Sequence, residues 1–261
     1  MRSLNIAATG MLAQQLNVEV ISNNIANLNT TGFKRQRAEF QDLIYQIERR
    51  AGATSSDTGT IVPVGVQIGS GVKAAAVYRM SEQGNLINTN NSLDLAIQGH
   101  GFFQIAMPDG TTAYTRAGSF QLSPTGEIVT ADGYVVDPGL TLPSNTTAVT
   151  VNASGQVLAQ IAGQQTPQTV GQFQLATFPN EGGLEPLGNN LLRETQASGS
   201  PVVGNPGATA FGTIQQGFLE TSNVNIVSEI TNLITAQRAY EMNSKVIQTS
   251  NDMESTLNQI R

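Results

Sequence analysis

The two ends of this chain carry one pattern and the middle carries another. From residue 3 to 28, apolar side chains recur at alternating spacings of three and four. They are Leu4, Ala7, Met11, Val18, Ile21, Ile25 and Leu28, with Gln14 as one polar member and Leu12 and Leu16 beside it. That is the seam of an amphipathic helix written in heptads. At 1.5 Å per residue it would run roughly 40 Å. Asn27, Asn29, Thr30, Thr31 and Gly32 signal its end. A second ribbon spans 224–260 without Gly or Pro: Ile226, Ile230, Leu233, Gln237, Tyr240, Ser244 and Ile247 form one stripe, and Ala239, Met242, Val246, Met253, Leu257 and Ile260 a neighbouring one. Neither ribbon has a covering segment close by in sequence. The economical solution is that they pair with each other, antiparallel.

Between them the period changes. Residues 36–50 predict a second short helix, with Phe40, Leu43, Ile44 and Ile47 on one side. Residues 51–72 are rich in Gly, Ser, Thr and Pro around β-branched pairs, which reads as an extended linker or long hairpin. From 73 to 215 alternation dominates. Leu93, Leu95 and Ile97 alternate with polar neighbours, as do Phe103, Ile105 and Met107. Strands are expected at 113–116, 119–122, 127–130, 134–136, 148–151, 156–161 and 173–178. Turns at 108–110, 123–126 and 131–133 separate the earlier ones, and Asp-Gly in such turns is a strong hairpin signal. The expected architecture is α+β: long N- and C-terminal helices forming an antiparallel coiled coil, with a central all-β domain. The boundaries read as 1–45 with 216–261 for the helical part, 46–75 for the extended segment and 76–215 for the β-rich part.

Composition narrows the chemistry. The chain has 261 residues, a net charge of −6 and only 12 % charged residues. Residues 51–215 hold ten acidic and four basic groups, so no basic face is offered to a phosphate backbone and no nucleic-acid partner is expected. With no cysteine, disulfides and thiolate metal sites are excluded. No stretch reads as a cleaved signal peptide or a membrane span, so no membrane insertion is expected. His100 is the one histidine, and any His-dependent triad or zinc site would rest on it alone. It stands between Gly99 and Gly101, which suits an exposed turn. Asp94, Asp109 and Asp132 fall in separate turns, which does not support a calcium loop. Strand pairing could bring Asp94 and Glu127 together as glycosidase carboxylates, but solvated turn charges are the simpler reading. Neither enzyme activity, a cofactor nor a metal is expected.

The seams themselves point to assembly. Ala7, Gln14, Gln237 and Ser244 dilute them. Burying an aliphatic side chain is worth about 1.5–3 kcal/mol, while ordering a backbone residue costs about 1–2 kcal/mol. A lone pair of such helices is close to break-even, so the termini are expected to order fully when copies cover their other faces. A double stripe on one helix suits more than one partner, and a heterologous interface that does not close makes a helical filament.

Three stretches, one near the N-terminus and two near the C-terminus, carry a family resemblance. Ile21-Ser22-Asn23-Asn24-Ile25-Ala26-Asn27-Leu28-Asn29-Thr30-Thr31-Gly32-Phe33-Lys34-Arg35 resembles the N-terminal signature of bacterial flagellar rod and hook proteins. Gln216-Gly217-Phe218-Leu219-Glu220-Thr221-Ser222-Asn223-Val224 and Gln237-Arg238-Ala239-Tyr240-Glu241 resemble the other end of the same family. Within it, residues 6–11, 37–43 and 93–97 and the total length are most similar to the distal-rod members. The chain departs from the common pattern at His100, where Asp is usual, and at Asn5, where an aromatic is usual.

The resemblance implies a structural subunit of a rigid helical tube. Terminal helices would line its inner wall and the β-rich part would lie outside. Its partners would be copies of itself, other rod proteins and the hook protein, the peptidoglycan and outer-membrane ring proteins, and the flagellar export apparatus. The 47–70 stretch would stiffen the tube. The residues expected at assembly interfaces are Leu4, Met11, Val18, Ile21, Asn23, Asn24, Ile25, Asn27, Gly32, Phe33, Ile226, Ile230, Leu233, Tyr240 and Ile247. The asparagine amides would bond backbone or a neighbouring helix without bringing charge into the interface. Gly32 would supply a special backbone conformation and Phe33 a buried anchor. A proximal-rod or hook-like subunit is the alternative within the family. A periplasmic carbohydrate-binding or hydrolytic β domain is the alternative outside it.

Overall fold

The computed structural model describes residues 2–52 and 64–259. Ile260 and residues 53–63 of the expected extended segment lie outside the described residues, as does the side chain of Leu257. Among the described residues the chain is α+β: a helix at each end and a β-rich region between. It divides into two compact units, residues 1–25, 36–78 and 225–261 in one, and residues 26–35 and 79–224 in the other.

The first unit contains α1 (Arg2–Ala26), β1 (Gln36–Asp42), β2 (Tyr45–Arg49), β3 (Val66–Gly69), β4 (Val72–Arg79) and α2 (Ile226–Gln259), except that the last residues of α1 and β4 belong to the second unit. Helix α2 starts at an N-cap. The Asn225 Oδ1 accepts the backbone N–H groups of Val227 (3.1 Å) and Ser228 (3.2 Å), satisfying donors the first turn leaves open. Glu229 lies in that turn, where an anion suits the helix dipole. The 34 residues of α2 span about 51 Å at 1.5 Å each.

Gln36–Asp42 and Tyr45–Arg49 are strands, where a helix was expected over 36–50. β1 pairs with β4, and β2 pairs antiparallel with β3, with Tyr45 opposite Gly69 and Ile47 opposite Gln67. Two local causes override the helical spacing of Phe40, Leu43, Ile44 and Ile47. The Asn24 side chain takes both backbone groups of Gln36: its Oδ1 accepts the N–H and its Nδ2 donates to the C=O, each at 2.8 Å. Gln36 is thereby held as an edge strand would hold it and cannot join a helical ladder. The partner segments supply Val66, Ile68, Val72 and Val77, whose branched side chains favour strands. β2 and β3 pair from either side of residues 53–63, which lie outside the described residues.

The second unit holds β5 (Leu86–Asn88), β6 (Leu95–Gln98), β7 (Phe102–Ala106), β8 (Thr112–Thr115), β9 (Gln121–Leu122), β10 (Ile128–Val129) and β11 (Val135–Val136). It continues with β12 (Thr146–Val151), β13 (Gln156–Ile161), β14 (Gln168–Gln172), β15 (Leu175–Thr177), β16 (Glu185–Gly188), β17 (Leu191–Arg193), β18 (Val202–Gly204), β19 (Thr213–Gln216) and β20 (Phe218–Glu220). The main sheet runs β16-β17-β8-β7-β11-β10-β9, with β15 joining β7 and β18. β12, β13 and β14 form a separate antiparallel meander. The last two strands return to early ones, β19 to β6 and β20 to β5. The strands expected at 113–136 and 156–161 fall where the alternation put them. β14, β16, β17 and β18 lie in Gly-, Thr- and Asn-rich sequence where alternation is weak, and pairing alone defines them.

β7 organises the core because both of its faces are covered. Successive strand side chains point to opposite faces. Phe103 and Ile105 enter the large cluster with Phe120, Phe173, Leu175 and Ile214, whereas Phe102 enters a smaller one with Tyr114, Phe178 and Leu184. Phe103 meets Phe120 edge-on at 5.1 Å between ring centroids and Phe173 at 6.4 Å. Phe103 is completely buried. Phe103→Ala is therefore expected to destabilise this unit by about 3–5 kcal/mol, read as a lowered urea midpoint for the β-sheet signal in circular dichroism.

Candidate functional site: a buried ionic junction and the exposed faces of the helices

In the second unit the signature segments 26–35 and 216–224 lie side by side, held by one carboxylate. The Glu220 side chain, on β20, is fully buried. Its Oε2 accepts from Arg116 Nε at 2.6 Å, and its Oε1 accepts from Lys34 Nζ at 2.6 Å and from the Gly84 N–H at 2.9 Å. Each cation has other acceptors. The Arg116 guanidinium donates to the carbonyls of Gly101 (2.5 Å), Gly99 (2.6 Å) and Ile97 (3.3 Å), and Lys34 donates to the Glu82 carbonyl at 2.7 Å. The Glu220 carbonyl accepts the Gly32 N–H at 2.8 Å. Gly32 sits at φ 68°, and a Cβ there would fall 2.8 Å from the backbone of Arg116 and Ala117. Only a glycine makes that approach without strain. Asn223 completes the junction: its Oδ1 accepts the Arg35 N–H at 2.7 Å and its Nδ2 donates to Met80 and Glu82 carbonyls at 3.0 Å.

Charge explains the titration of the junction. Burial alone pushes the Glu220 carboxyl up, but Arg116 and then Lys34 outweigh it and hold the carboxyl below its ordinary value. Burial likewise pushes the Lys34 ammonium down, and Glu220 offsets this only in part. Gly32 and Phe33 were expected at an assembly interface, and Lys34, Arg116 and Glu220 were not singled out from the sequence. Lys34 and Glu220 did carry a signal, being opposite charges inside the two signatures. Arg116 carried none beyond its place at the end of a strand.

In the first unit α1 and α2 touch at three places. Ser250 Oγ donates to Ser3 Oγ at 3.2 Å, the Asn243 amide packs on Gly10, and Asn24 Nδ2 donates to Glu229 Oε2 at 3.2 Å. On α2, Glu229, Ala236 and Ser250 are buried and Leu233, Asn243 and Ile247 half-buried, at spacings of three, four and seven. The sequence stripe is thereby divided: Leu233 and Ile247 are covered, while Ile226, Ile230 and Tyr240 are left exposed. On α1, Ile21 and Asn24 are buried, and Leu4, Met11, Val18 and Ile25 are half-buried. Asn23 is exposed, and Asn27 Oδ1 accepts from Thr30 Oγ1 at 3.1 Å. Gly32 and Phe33 are half-buried. The outward face of α2 is notably apolar, with Val227 71 % exposed, Met242 66 % and Met253 61 %.

His100, Asp94 and Glu127, weighed for catalysis, each have a different neighbour. His100 faces solvent, its Nδ1 3.5 Å from Glu181 Oε1. Asp94 accepts from Asn91 Nδ2 at 3.0 Å, and Glu127 from Thr125 Oγ1 at 3.1 Å, each within its own turn. Among the described residues no three His, Asp or Glu side chains are grouped to hold a metal.

Paired signature segments around an ionic junction, with long terminal helices presenting apolar side chains, define a structural protein. Family models described as Flagella basal body rod protein, Flagellar hook protein FlgE/F/G D1 domain, and Flagellar basal body rod FlgEFG protein C-terminal match residues 4–34, 96–159 and 215–260. The chain is 60 % identical over 261 residues to the flagellar basal-body rod protein FlgG of Caulobacter vibrioides, covering all of both chains. It is 54 % identical to that of Agrobacterium fabrum, over 98 % of this chain and 97 % of the relative. It is 40 % identical to that of Bacillus subtilis, over 97 % and 96 %. The chain belongs to the flagellar basal-body rod protein family, and its place is the flagellar basal body.

Glu220→Gln removes the charge facing two buried cations and is expected to cost about 3–5 kcal/mol at neutral pH. Because the folded carboxyl titrates below its unfolded value, the stabilisation is present above the ordinary glutamate range and is lost as pH falls through the folded value. Urea melts of both forms should differ at pH 7 and converge well below pH 4.3, the ordinary glutamate value of about that size.

Proposed function

We propose that this chain is a structural subunit of the flagellar distal rod, acting by polymerisation into a rigid helical tube that carries torque to the hook and encloses the export channel. The observation that carries it is the second face of α2. Its inner face already lies against α1, yet Val227, Ile230 and Ile234 stand exposed on one flank and Met242, Val246 and Met253 on the other. At about 100° per residue these groups lie on opposite sides of the covered seam. Contiguous exposed apolar surface marks an interaction site. Two unlike flanks suit two different neighbours, and such contacts repeat as an open helix. The full-length similarity to basal-body rod proteins supports the same reading.

The antiparallel coiled coil belongs to this proposal. The contacts of Ser3, Gly10 and Asn24 with Ser250, Asn243 and Glu229 support it, because seven residues up α1 match seven down α2. We assign the tube's inner wall to the terminal segments 1–45 with 216–261, the extended connection to 46–75, and the outer part to the β-rich 76–215. The residues named from the sequence for assembly remain those assigned to interfaces, with Ile226, Ile230 and Tyr240 available to neighbours and Leu233 and Ile247 given to the helix pair. The partners are copies of the chain, other rod proteins and the hook protein, the peptidoglycan and outer-membrane rings, and the export apparatus. The function requires neither catalysis nor a cofactor, nucleic acid or membrane insertion. Among the described residues no helix is long and apolar enough to cross a membrane.

Ile230→Asp places a charge on an exposed flank, so the monomer should keep its thermal stability within about 0.5 kcal/mol while filaments vanish from electron micrographs and sedimentation. Leu233→Asp buries an unpaired charge against α1 and should lose both helix pairing and filaments. Ordinary tubes from Ile230→Asp would overturn the reading.

A further inference from the structure

The contacts between α1 and α2 are polar and periodic. Ser3 meets Ser250, Gly10 meets Asn243 seven residues on, and Asn24 meets Glu229 fourteen residues further. Asn243 lies so close that a Cβ on Gly10 would be 2.9 Å from its Nδ2. In an antiparallel heptad pair, one seam column is thus lined by small and polar groups. Carried along the helices, the same register would set Val20 beside Leu233 and Ile6 beside Ile247 in the other, apolar column.

We infer that the polar column, with Asn24–Glu229 as its chief member, fixes the register in which the two terminal helices pair. Apolar knobs fit equally well after a slip of one heptad, so they bind without choosing. A buried polar pair does choose. Slipping by seven residues takes Asn24 away from Glu229, a residue with 3 % exposure, and sets its amide against Ala236 or beyond the start of α2. Buried polar groups separated from their partners are strongly disfavoured. Asn24 also holds the backbone of Gln36, so the register it selects is tied to the start of β1. This matters for assembly because a slip would move Ile230 and Ile234 by about 10 Å along α1, and copies in different registers would not present the same face. The inference rests on the antiparallel pairing proposed above.

The chain contains no cysteine, so introduced pairs report without interference. The full-length protein is oxidised with Ser3→Cys/Ser250→Cys, the present register, or with Ser3→Cys/Asn243→Cys, a slip of one heptad. Cross-linking of the monomer is read on non-reducing gels. In the otherwise native chain the first pair should cross-link at least tenfold faster. In an Asn24→Leu/Glu229→Leu background the slipped pair should rise to within about twofold of the first. Where that variant loses its helical circular dichroism, Asn24→Ala/Glu229→Ala, with the highest helix propensity at both positions, carries the comparison. A preserved tenfold preference in the apolar background would overturn the register inference while leaving the helix pair standing. Failure of both pairs in the native background would overturn the antiparallel pairing itself.

Discussion

The carboxylate of Glu220 is the constraint on which the second unit depends. Burying it without partners would be prohibitive. Its presence at zero side-chain exposure therefore requires Arg116 and Lys34 to be where they are. Arg116 in turn spends its remaining donors on the carbonyls of Gly99, Gly101 and Ile97, which shapes the turn between β6 and β7. Lys34 and the Gly32 N–H bring the N-terminal signature to β20. A buried ion pair is weak as a source of net stability but strong as a specification of which segments meet. Here it selects one arrangement of three stretches far apart in sequence, which hydrophobic packing alone would leave less determined.

The first unit uses polarity differently. Its helices are joined by hydroxyl and amide contacts and by one Asn–Glu pair, with modest apolar cover between them. Several of the larger hydrophobic side chains of α2 face outward, while Leu233 and Ile247 are half-buried. That inversion makes poor sense for a protein working alone, since exposed Val227, Met242 and Met253 only add unfavourable hydration. It makes good sense for a subunit whose strongest apolar contacts are reserved for other copies. A helix that spent its best hydrophobes internally would have little left with which to assemble.

Helices at both ends were legible because spacings of three and four sustained over 25 residues or more have no competing reading. The hairpins around β8 to β13 were legible from alternation and Asp-Gly turns. The helix expected at 36–50 failed because Phe40, Leu43, Ile44 and Ile47 satisfy a helical spacing, while the deciding interaction, Asn24 with the Gln36 backbone, comes from another element. The seam of α2 was drawn through its largest aliphatics, Ile226 and Ile230. The folded helix instead turns Glu229, Ala236 and Ser250 inward, because a polar residue with a matched partner can occupy a seam that a hydrophobicity count would deny it.

By itself the sequence determined the class, the order of helix, β-rich region and helix, and the family, since periodicity and signature residues are properties of neighbours along the chain. Only the tertiary structure decided which charges would meet at Glu220, which face of α2 would be covered, and that residues 36–42 and 45–49 would be strands. Those outcomes depend on partners distant in sequence. The free energy of a buried charge, a seam or a strand edge is set by what lies across from it, and no local pattern records that.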